Sequence, residues 1–292
     1  MRVAVITDSN SGMTAEDAKA HGIGLLSMPF LIDGEDYLDG VNLTHEEFYE
    51  KLKNDADVST SQPAPGMVME LWDEVLKEND QILYIPMSAG LSKSYETAAM
   101  LAESEYEGKV FVVNNKRIGP TQRQAAIEAK NLADQGMDAK QIQELLERES
   151  LEASIYIMVD TLKYLKKGGR VTAAGAAIGT VLNLKPVLQI QGDKLDAFAK
   201  ARGVKNAKKA MLEQVKKDIE QRFKEYKDAG KLRICVAYSQ VSEETLATWI
   251  KEVETAFPGM EVYAGKLSLS IACHIGPGAL AITCARVPAE VQ

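Results

Sequence analysis

Short apolar runs alternate with amphipathic stretches from the start of the chain, and no other feature restricts the fold as strongly. Residues 3–7, 24–28, 30–32, 82–85 and 110–113 have the length and apolar character of strands. Helical stretches separate them. Thr14-Ala15-Glu16-Asp17 and Thr44-His45-Glu46-Glu47 have the form of capping boxes, in which hydroxyl and carboxylate each accept a backbone N–H of the first turn. Gly22 is placed to end the first helix, and Phe48, Tyr49 and Leu52 share one face of the second. Asp33-Gly34 reads as a hairpin turn into Tyr37-Leu38. Pro65 suits the first turn of a helix carrying Met69, Leu71, Trp72, Val75 and Leu76. Further helices are expected over 95–104, 120–135 and 139–149. This order predicts a mostly parallel sheet with helices on both faces. Ligands of such sheets sit beyond the carboxyl ends of the strands, where Asp8-Ser9, Ser88 and Asn114-Asn115 fall.

A second unit opens with a strand at 154–159. A short helix over 161–167 is closed by Gly168-Gly169, and a small-residue helix follows over 171–182. Residues 186–190 and 195–199 pair as a hairpin through Gln191-Gly192-Asp193. A long charged helix spans 205–228, and strands at 233–238, 261–264 and 280–285 surround a helix at 243–257. The expected fold class is α/β with two domains: 1–155, with a mostly parallel sheet flanked by helices, and 156–292, with a mixed sheet. A chain of 292 residues that is 46% hydrophobic has the material for two cores.

The net charge of −8 argues against nucleic acid or an anionic membrane as main partner. No stretch approaches the about 18 uninterrupted apolar residues that a membrane span needs. The N-terminus turns polar at Thr7-Asp8, too soon for a secretory signal, so a cytoplasmic location is expected. Cys235, Cys273 and Cys284 are odd in number and lack metal or redox spacing; they read as buried thiols in a reducing compartment.

Candidate chemistry concentrates in hydroxyl-rich turns. Ser59-Thr60-Ser61-Gln62-Pro63 precedes a helix, and Ser88-Ala89-Gly90-Leu91-Ser92-Lys93-Ser94-Tyr95 follows an apolar strand. Such residues mostly cap turns and helices. Two similar turns, each opening a helix, would also hold an anion well, since hydroxyls add donors to the unpaired N–H groups there. A serine nucleophile needs an oriented base. Of His21, His45 and His274, the first two read as surface residues and only His274 could serve, so a hydrolase or phosphotransferase using Ser92 or Ser61 is the competing reading. Ala89-Gly90-Leu91-Ser92-Lys93 is not a nucleophile elbow. Gly168-Gly169-Arg170 and Gly276-Pro277-Gly278 match neither phosphate-loop nor dinucleotide patterns. The histidines are far apart, so no metal is expected, and Asp8 reads as a turn cap. Lys163, Lys166, Lys167 and Arg170, and then Lys200, Arg202, Lys205, Lys208 and Lys209, make local basic surfaces that would steer toward an acidic partner.

Taken in order, Thr7-Asp8-Ser9, Ser59-Thr60-Ser61-Gln62-Pro63, Gly90-Leu91-Ser92 with Tyr95, the Gly168-Gly169-Arg170 closure, Leu184-Lys185-Pro186-Val187-Leu188, Lys200-Ala201-Arg202 and His274 with Gly276-Pro277-Gly278-Ala279-Leu280 resemble the DegV family of bacterial fatty-acid-binding proteins over nearly the whole length. The resemblance implies two α/β domains with a lipid site between them. One long-chain fatty acid would be enclosed there, with no cofactor. Its carboxylate would be held by Thr60, Ser61, Ser92 and His274. It also implies a separate, ATP-dependent fatty acid kinase catalytic subunit as partner, docked through a basic face that includes Arg170 and Arg202. The chain would thus be a carrier subunit and not itself an enzyme. Three positions depart from the pattern: Lys93-Ser94 in place of Gly-Thr, Ile275 in place of Thr, and Asn114-Asn115 in place of Asp-Ser. Ala173, Ala174, Ala176, Ala177, Ile178 and Val181 with Ile271 would suit the lining of an apolar slot, and equally an ordinary core.

Overall fold

Residues 1–177, 184–191, 194–288 and 290 are described by the structure, a computed structural model. The chain forms two units, one built from Met1–Leu151 with Ser268–Ser270 and the end of the chain, the other from Glu152–Leu267 with Ile271–Val287.

In the first unit β1 (Val3–Asp8), β2 (Gly24–Leu26), β6 (Gln81–Ile85) and β7 (Val110–Val112) form a parallel sheet in the order β2-β1-β6-β7. Between β2 and β6 the chain inserts an antiparallel sheet of β3 (Pro29–Ile32), β4 (Glu35–Leu38) and β5 (Val58–Thr60), in the order β4-β3-β5. The β3–β4 turn is Asp33-Gly34, both at positive φ (53° and 84°), as a tight hairpin requires. Helices α1 (Ala15–Ala20), α2 (His45–Lys53), α3 (Pro65–Leu76), α4 (Ser94–Glu105), α5 (Pro120–Asp134) and α6 (Ala139–Arg148) complete the unit. Ile6, Ile82, Tyr84, Val110 and Val112 bury one sheet face under Val68 and Trp72 of α3 and Ala98 and Ala102 of α4. Helices α5 and α6 pack against β1, β6 and β7, and the buried Ala125, Ala126 and Ala129 let α5 approach closely. Both faces of the sheet are therefore covered, as the alternation requires.

Thr44 and Glu47 form the expected reciprocal box at α2. At α1 only half of it forms. Thr14 accepts the Asp17 N–H, while the Asp17 carboxylate turns instead to Arg123 Nε and Nη2, at 2.8 and 2.9 Å. A bidentate guanidinium outcompetes one backbone N–H.

The second unit holds a six-stranded mixed sheet in the order β10-β9-β8-β13-β11-β12. Its strands are β8 (Ala153–Met158), β9 (Leu184–Ile190), β10 (Asp196–Arg202), β11 (Leu232–Tyr238), β12 (Val262–Lys266) and β13 (Leu280–Arg286). Only β11 and β12 pair in parallel. Its helices are α7 (Lys163–Gly168), α8 (Ala173–Ala176), α9 (Gly203–Gln221), α10 (Lys224–Asp228), α11 (Glu243–Ala256) and α12 (Leu269–Ile275), the first two residues of α12 grouping with the first unit. Ala207, Met211, Val215 and Ile219 recur every fourth residue along α9 and pack, with Trp249 and Val253 of α11, into one core with Tyr156, Val187, Ile234 and Ile282.

Two expectations fail here. The long helix ends at Gln221, because Arg222 and Phe223 leave helical geometry (φ −118° and −119°); Phe223 is thereby buried and Arg222 Nη1 reaches Ser154 Oγ at 2.8 Å. The small-residue helix does not begin at Val171. Val171 bridges Leu195, and Thr172 caps α8 by accepting the Gly175 N–H at 3.1 Å. The rest of that expected helix, with Ile178 and Val181, lies outside the described residues, as do Gly192 and Asp193. Helix α12 has no sequence forecast, its residues having read as a plain apolar run.

Candidate functional site

Strand order reverses between β1 and β6, so the crevice expected of an open α/β sheet lies at their carboxyl ends. Its floor is Asp8, fully buried. Oδ1 accepts from Asn10 N and Gln122 Nε2, both at 3.0 Å, and Oδ2 from Met87 N at 2.9 Å. Burial outweighs these donors and pushes the Asp8 pKa up to about 6. Gln122, from α5, also donates to Ile85 O at 3.2 Å and to Thr7 Oγ1 at 3.1 Å. Asp8 is therefore the turn cap the sequence suggests, tying the two strand ends together. No group of three potential metal ligands occurs among the described residues.

Beyond this floor stand the hydroxyls. Ser88 is buried; its carbonyl accepts the Leu91 and Ser92 N–H groups at 3.0 and 3.2 Å, and its Oγ accepts the Gly90 N–H at 3.3 Å. Ser92 is half-buried, accepts the Ser94 N–H at 3.1 Å and pairs with Ser94 Oγ at 2.8 Å at the start of α4. The Lys93-Ser94 departure thus leaves a hydroxyl where one is useful. Thr60 ends β5 opposite Phe30, and Ser61 is exposed. The turn precedes a helix as expected, but none of its hydroxyls caps it: α3 begins at Pro65 with Ala64 at its N-cap and no side-chain bond there. Gln62 Oε1 instead accepts from Thr97 Oγ1 of α4 at 3.1 Å, so the two hydroxyl turns are joined. The Asn114-Asn115 turn is held as well, Asn115 Oδ1 accepting the Arg117 N–H at 3.0 Å.

His274 belongs to the second unit, in the last turn of α12. A Cβ on Gly168 would stand 2.0 Å from His274 Nδ1, so the imidazole lies directly on the α7 backbone. A Cβ on Gly276 (φ 73°) would meet the Tyr164 ring at 2.5 Å, and one on Gly278 (φ 81°) the Asp160 carboxyl at 2.9 Å. The two glycine motifs therefore pack α7 and its entry against the His274 turn and cradle no phosphate. Arg170 donates to the Gly168 carbonyl and is half-buried. Burial first, and then the Arg170 charge, lowers the His274 pKa to about 4. At neutral pH His274 is an uncharged hydrogen-bonding group and a weak general base. His21 is exposed beside Asp17 (3.5 Å), while His45, expected at the surface, is half-buried near the Tyr49 ring one turn on.

Arg202 is exposed at the end of β10, where it precedes α9. A groove of about 580 Å³ is lined by Val204, Leu212, Lys205, Lys216 and Lys209, the last paired with Glu213 of the same wall at 3.7 Å. Lys208, also on that wall, is neutralised by Glu252 at 3.1 Å and lies over Trp249. Of the small residues named as a lining, Ala173, Ala174 and Ala177 are exposed, Ala176 is half-buried and Ile271 buried. Two residues had no forecast role. Asp39 and Gln122 are buried polar groups whose partners lie far away in sequence.

The first unit thus carries hydroxyl-rich turns at the carboxyl ends of a parallel sheet, the second an uncharged histidine beside a mixed sheet, and the class is an α/β protein. The family model described as "Uncharacterised protein, DegV family" matches residues 2–287. The chain belongs to the DegV family. It is 29% identical over 283 residues to a DegV domain-containing protein of Deinococcus radiodurans, covering 97% of this chain and 98% of that one. It is 28% identical over 284 residues to Protein DegV of Bacillus subtilis, with 97% and 98% coverage. A structure described as fatty acid binding of a DegV family protein from Thermus thermophilus superposes with a TM-score of 0.87 at 29% identity, covering 98% of this chain and 100% of that one. A second, described as DegV, a fatty acid binding protein from Bacillus subtilis, gives 0.85 at 29% identity, with 98% and 99% coverage. No helix among the described residues is long and apolar enough to cross a membrane.

Proposed function

We infer that this protein binds one long-chain fatty acid in an apolar tunnel and presents its carboxylate to a separate ATP-dependent fatty acid kinase. It then carries the acyl phosphate, in the cytoplasm, toward phospholipid synthesis. Thr60, Ser61, Ser92 and His274 hold the carboxylate on this reading. The observation that carries it is chemical: the candidate groups are neutral donors, with His274 held uncharged by its surroundings. Such groups orient an acid without driving a bond-breaking step, and a base with a pKa near 4 would activate a serine poorly at neutral pH. The likeness to fatty-acid-binding relatives supports the acyl ligand.

The energetics divide the labour. Burying about fifteen methylenes at roughly 0.8 kcal/mol each supplies on the order of 12 kcal/mol before association costs. One hydrogen bond to a charged group contributes about 1.5–3 kcal/mol. Protein purified from a bacterial host is therefore expected to release one fatty acid per chain on solvent extraction, seen by mass spectrometry. In Ser92→Ala, phosphorylation by the kinase should fall about 10- to 100-fold with acyl retention nearly unchanged. An empty protein that cannot be loaded sinks the reading, and equal loss of both properties sinks the division of labour.

Kinase docking falls to the basic face that includes Arg170 and Arg202, with Lys205 three residues beyond Arg202. Arg202→Glu with Lys205→Glu is expected to abolish co-elution with the kinase while bound lipid is retained. Retained co-elution would remove that face from the proposal.

A further inference from the structure

The seven-residue helix α12 is too short to be stable by itself, since nucleation costs more than so few internal bonds return. Its first N–H groups need partners from elsewhere. They find Asp39, which follows β4 and is 6% exposed. Asp39 Oδ1 accepts the Leu269 N–H at 3.2 Å, and the Ser270 N–H and Ser268 hydroxyl donate to the same carboxylate. Oδ2 accepts from Ser9 Oγ at 2.9 Å, and Ser9 Oγ is itself fixed by the Met28 N–H at 3.1 Å. A parallel bond from Ser270 Oγ to Asn10 Oδ1, at 2.5 Å, holds the same turn. The start of α12 is thus pinned to the loop that follows β1.

His274 lies five residues along α12 from Leu269, about 7.5 Å at 1.5 Å per residue. A tilt of about 10° at the first turn would displace the imidazole by about 1 Å. The contact with Gly168 leaves no room for that. We propose that Asp39 is a positioning residue for His274: its carboxylate fixes the first turn of α12 and so sets where the imidazole stands. Its consequence for lipid binding rests on the carboxylate-binding reading of His274; the positioning itself does not.

The test is the titration of the three imidazoles by NMR, with His21 and His45 as references within the same molecule. In Asp39→Asn the His274 midpoint should rise from about 4 toward 6.5, by about one unit or more, as the ring escapes its burial. The sign is diagnostic. Loss of a negative charge acting through space would lower the midpoint, whereas release of the ring raises it. Asp39→Asn keeps one acceptor oxygen and turns the other into a donor, whereas Asp39→Glu keeps both acceptors and should give the smaller rise. If Asp39→Asn does not fold, Ser9→Ala removes one donor from the carboxylate without touching α12 and must shift His274 upward as well. An unmoved or lowered His274 midpoint overturns the proposal, as does a common shift of all three histidines. A protein that takes up no fatty acid would defeat the carrier reading and leave this titration standing.

Discussion

Gly168→Ala is expected to lower thermal stability and, on the carrier function proposed above, to cut fatty acid phosphorylation at least about tenfold. As the last residue of α7, Gly168 occupies a position where alanine is intrinsically preferred by about 1 kcal/mol. Backbone preference alone would therefore make the variant more stable. The added methyl would instead lie 2.0 Å from His274 Nδ1 and 2.6 Å from Cε1. Restoring ordinary contact needs a displacement of more than 1 Å, and overpacking of this kind costs about 1–3 kcal/mol. On the carboxylate-binding reading of His274 its hydrogen bond to the lipid would not survive such a shift, and tenfold in rate corresponds to about 1.4 kcal/mol. Gly169→Ala is the control. Its φ of +66° carries a backbone penalty of about 1 kcal/mol, yet its methyl would meet nothing within 4 Å, so His274 should be untouched. In Gly168→Ala with His274→Ala the clash is gone, and the two costs should fall short of additivity by about 1 kcal/mol or more. Additive costs, measured by urea unfolding, would show that the imidazole is not what fills the space.

How far the sequence reveals this protein depends on how local each interaction is. The Thr44–Glu47 box, the Asp33-Gly34 turn and the αL glycine closing α7 each involve neighbours a few residues apart, and each stands where the pattern predicts. The matching box at Thr14 is half formed because the carboxylate of Asp17 is claimed by Arg123, 106 residues on. Asp39 reads as an unremarked loop acid until Leu269 folds onto it from 230 residues away. Periodicity alone cannot place the break at Arg222, since the apolar spacing of α9 continues through Phe223 while the backbone turns. The hydroxyl turns were legible by residue type, but their uses differ. Ser92 accepts the first N–H of α4, from Ser94, whereas Thr60 closes an antiparallel strand that the alternation of elements does not distinguish from the parallel ones. The paired glycines illustrate the opposite limit: their spacing matches no anion-binding pattern and suggests no other role, and only the packed neighbours show that the absent side chains make room for an imidazole and a tyrosine ring.

Asp8 and His274 are expected to make opposed contributions to stability between about pH 4 and 6 that nearly cancel one another, and single substitutions will expose each. Asp8 has its folded pKa raised from 3.8 to about 6, so its contribution is fully present below the unfolded value and is lost as pH rises through the folded one. His274 has its folded pKa lowered from 6.5 to about 4; its contribution is present above 6.5 and is lost as pH falls toward 4. At 1.36 kcal/mol per unit, each amounts to about 3 kcal/mol, of opposite slope over nearly the same interval. Asp8→Asn should leave the histidine unopposed, so that relative to the parent the variant gains about 3 kcal/mol as pH rises from 4 to 6. His274→Ala should do the reverse, losing about as much relative to the parent over the same rise, and the double variant should differ from the parent by a nearly constant amount. Other carboxylates, such as Asp17 with its pKa lowered by Arg123, contribute equally to parent and variant and cancel in the difference. Asp8→Asn also carries a constant cost, because an amide N–H must face one of the donors from Asn10, Met87 or Gln122, but a constant cost has no slope. Urea unfolding of the parent and three variants at pH 4, 5, 6 and 6.5 reads these slopes directly. Single variants sloping the same way would show that the buried acid at the floor of the crevice and the imidazole on α7 do not carry the opposed protonation states assigned to them.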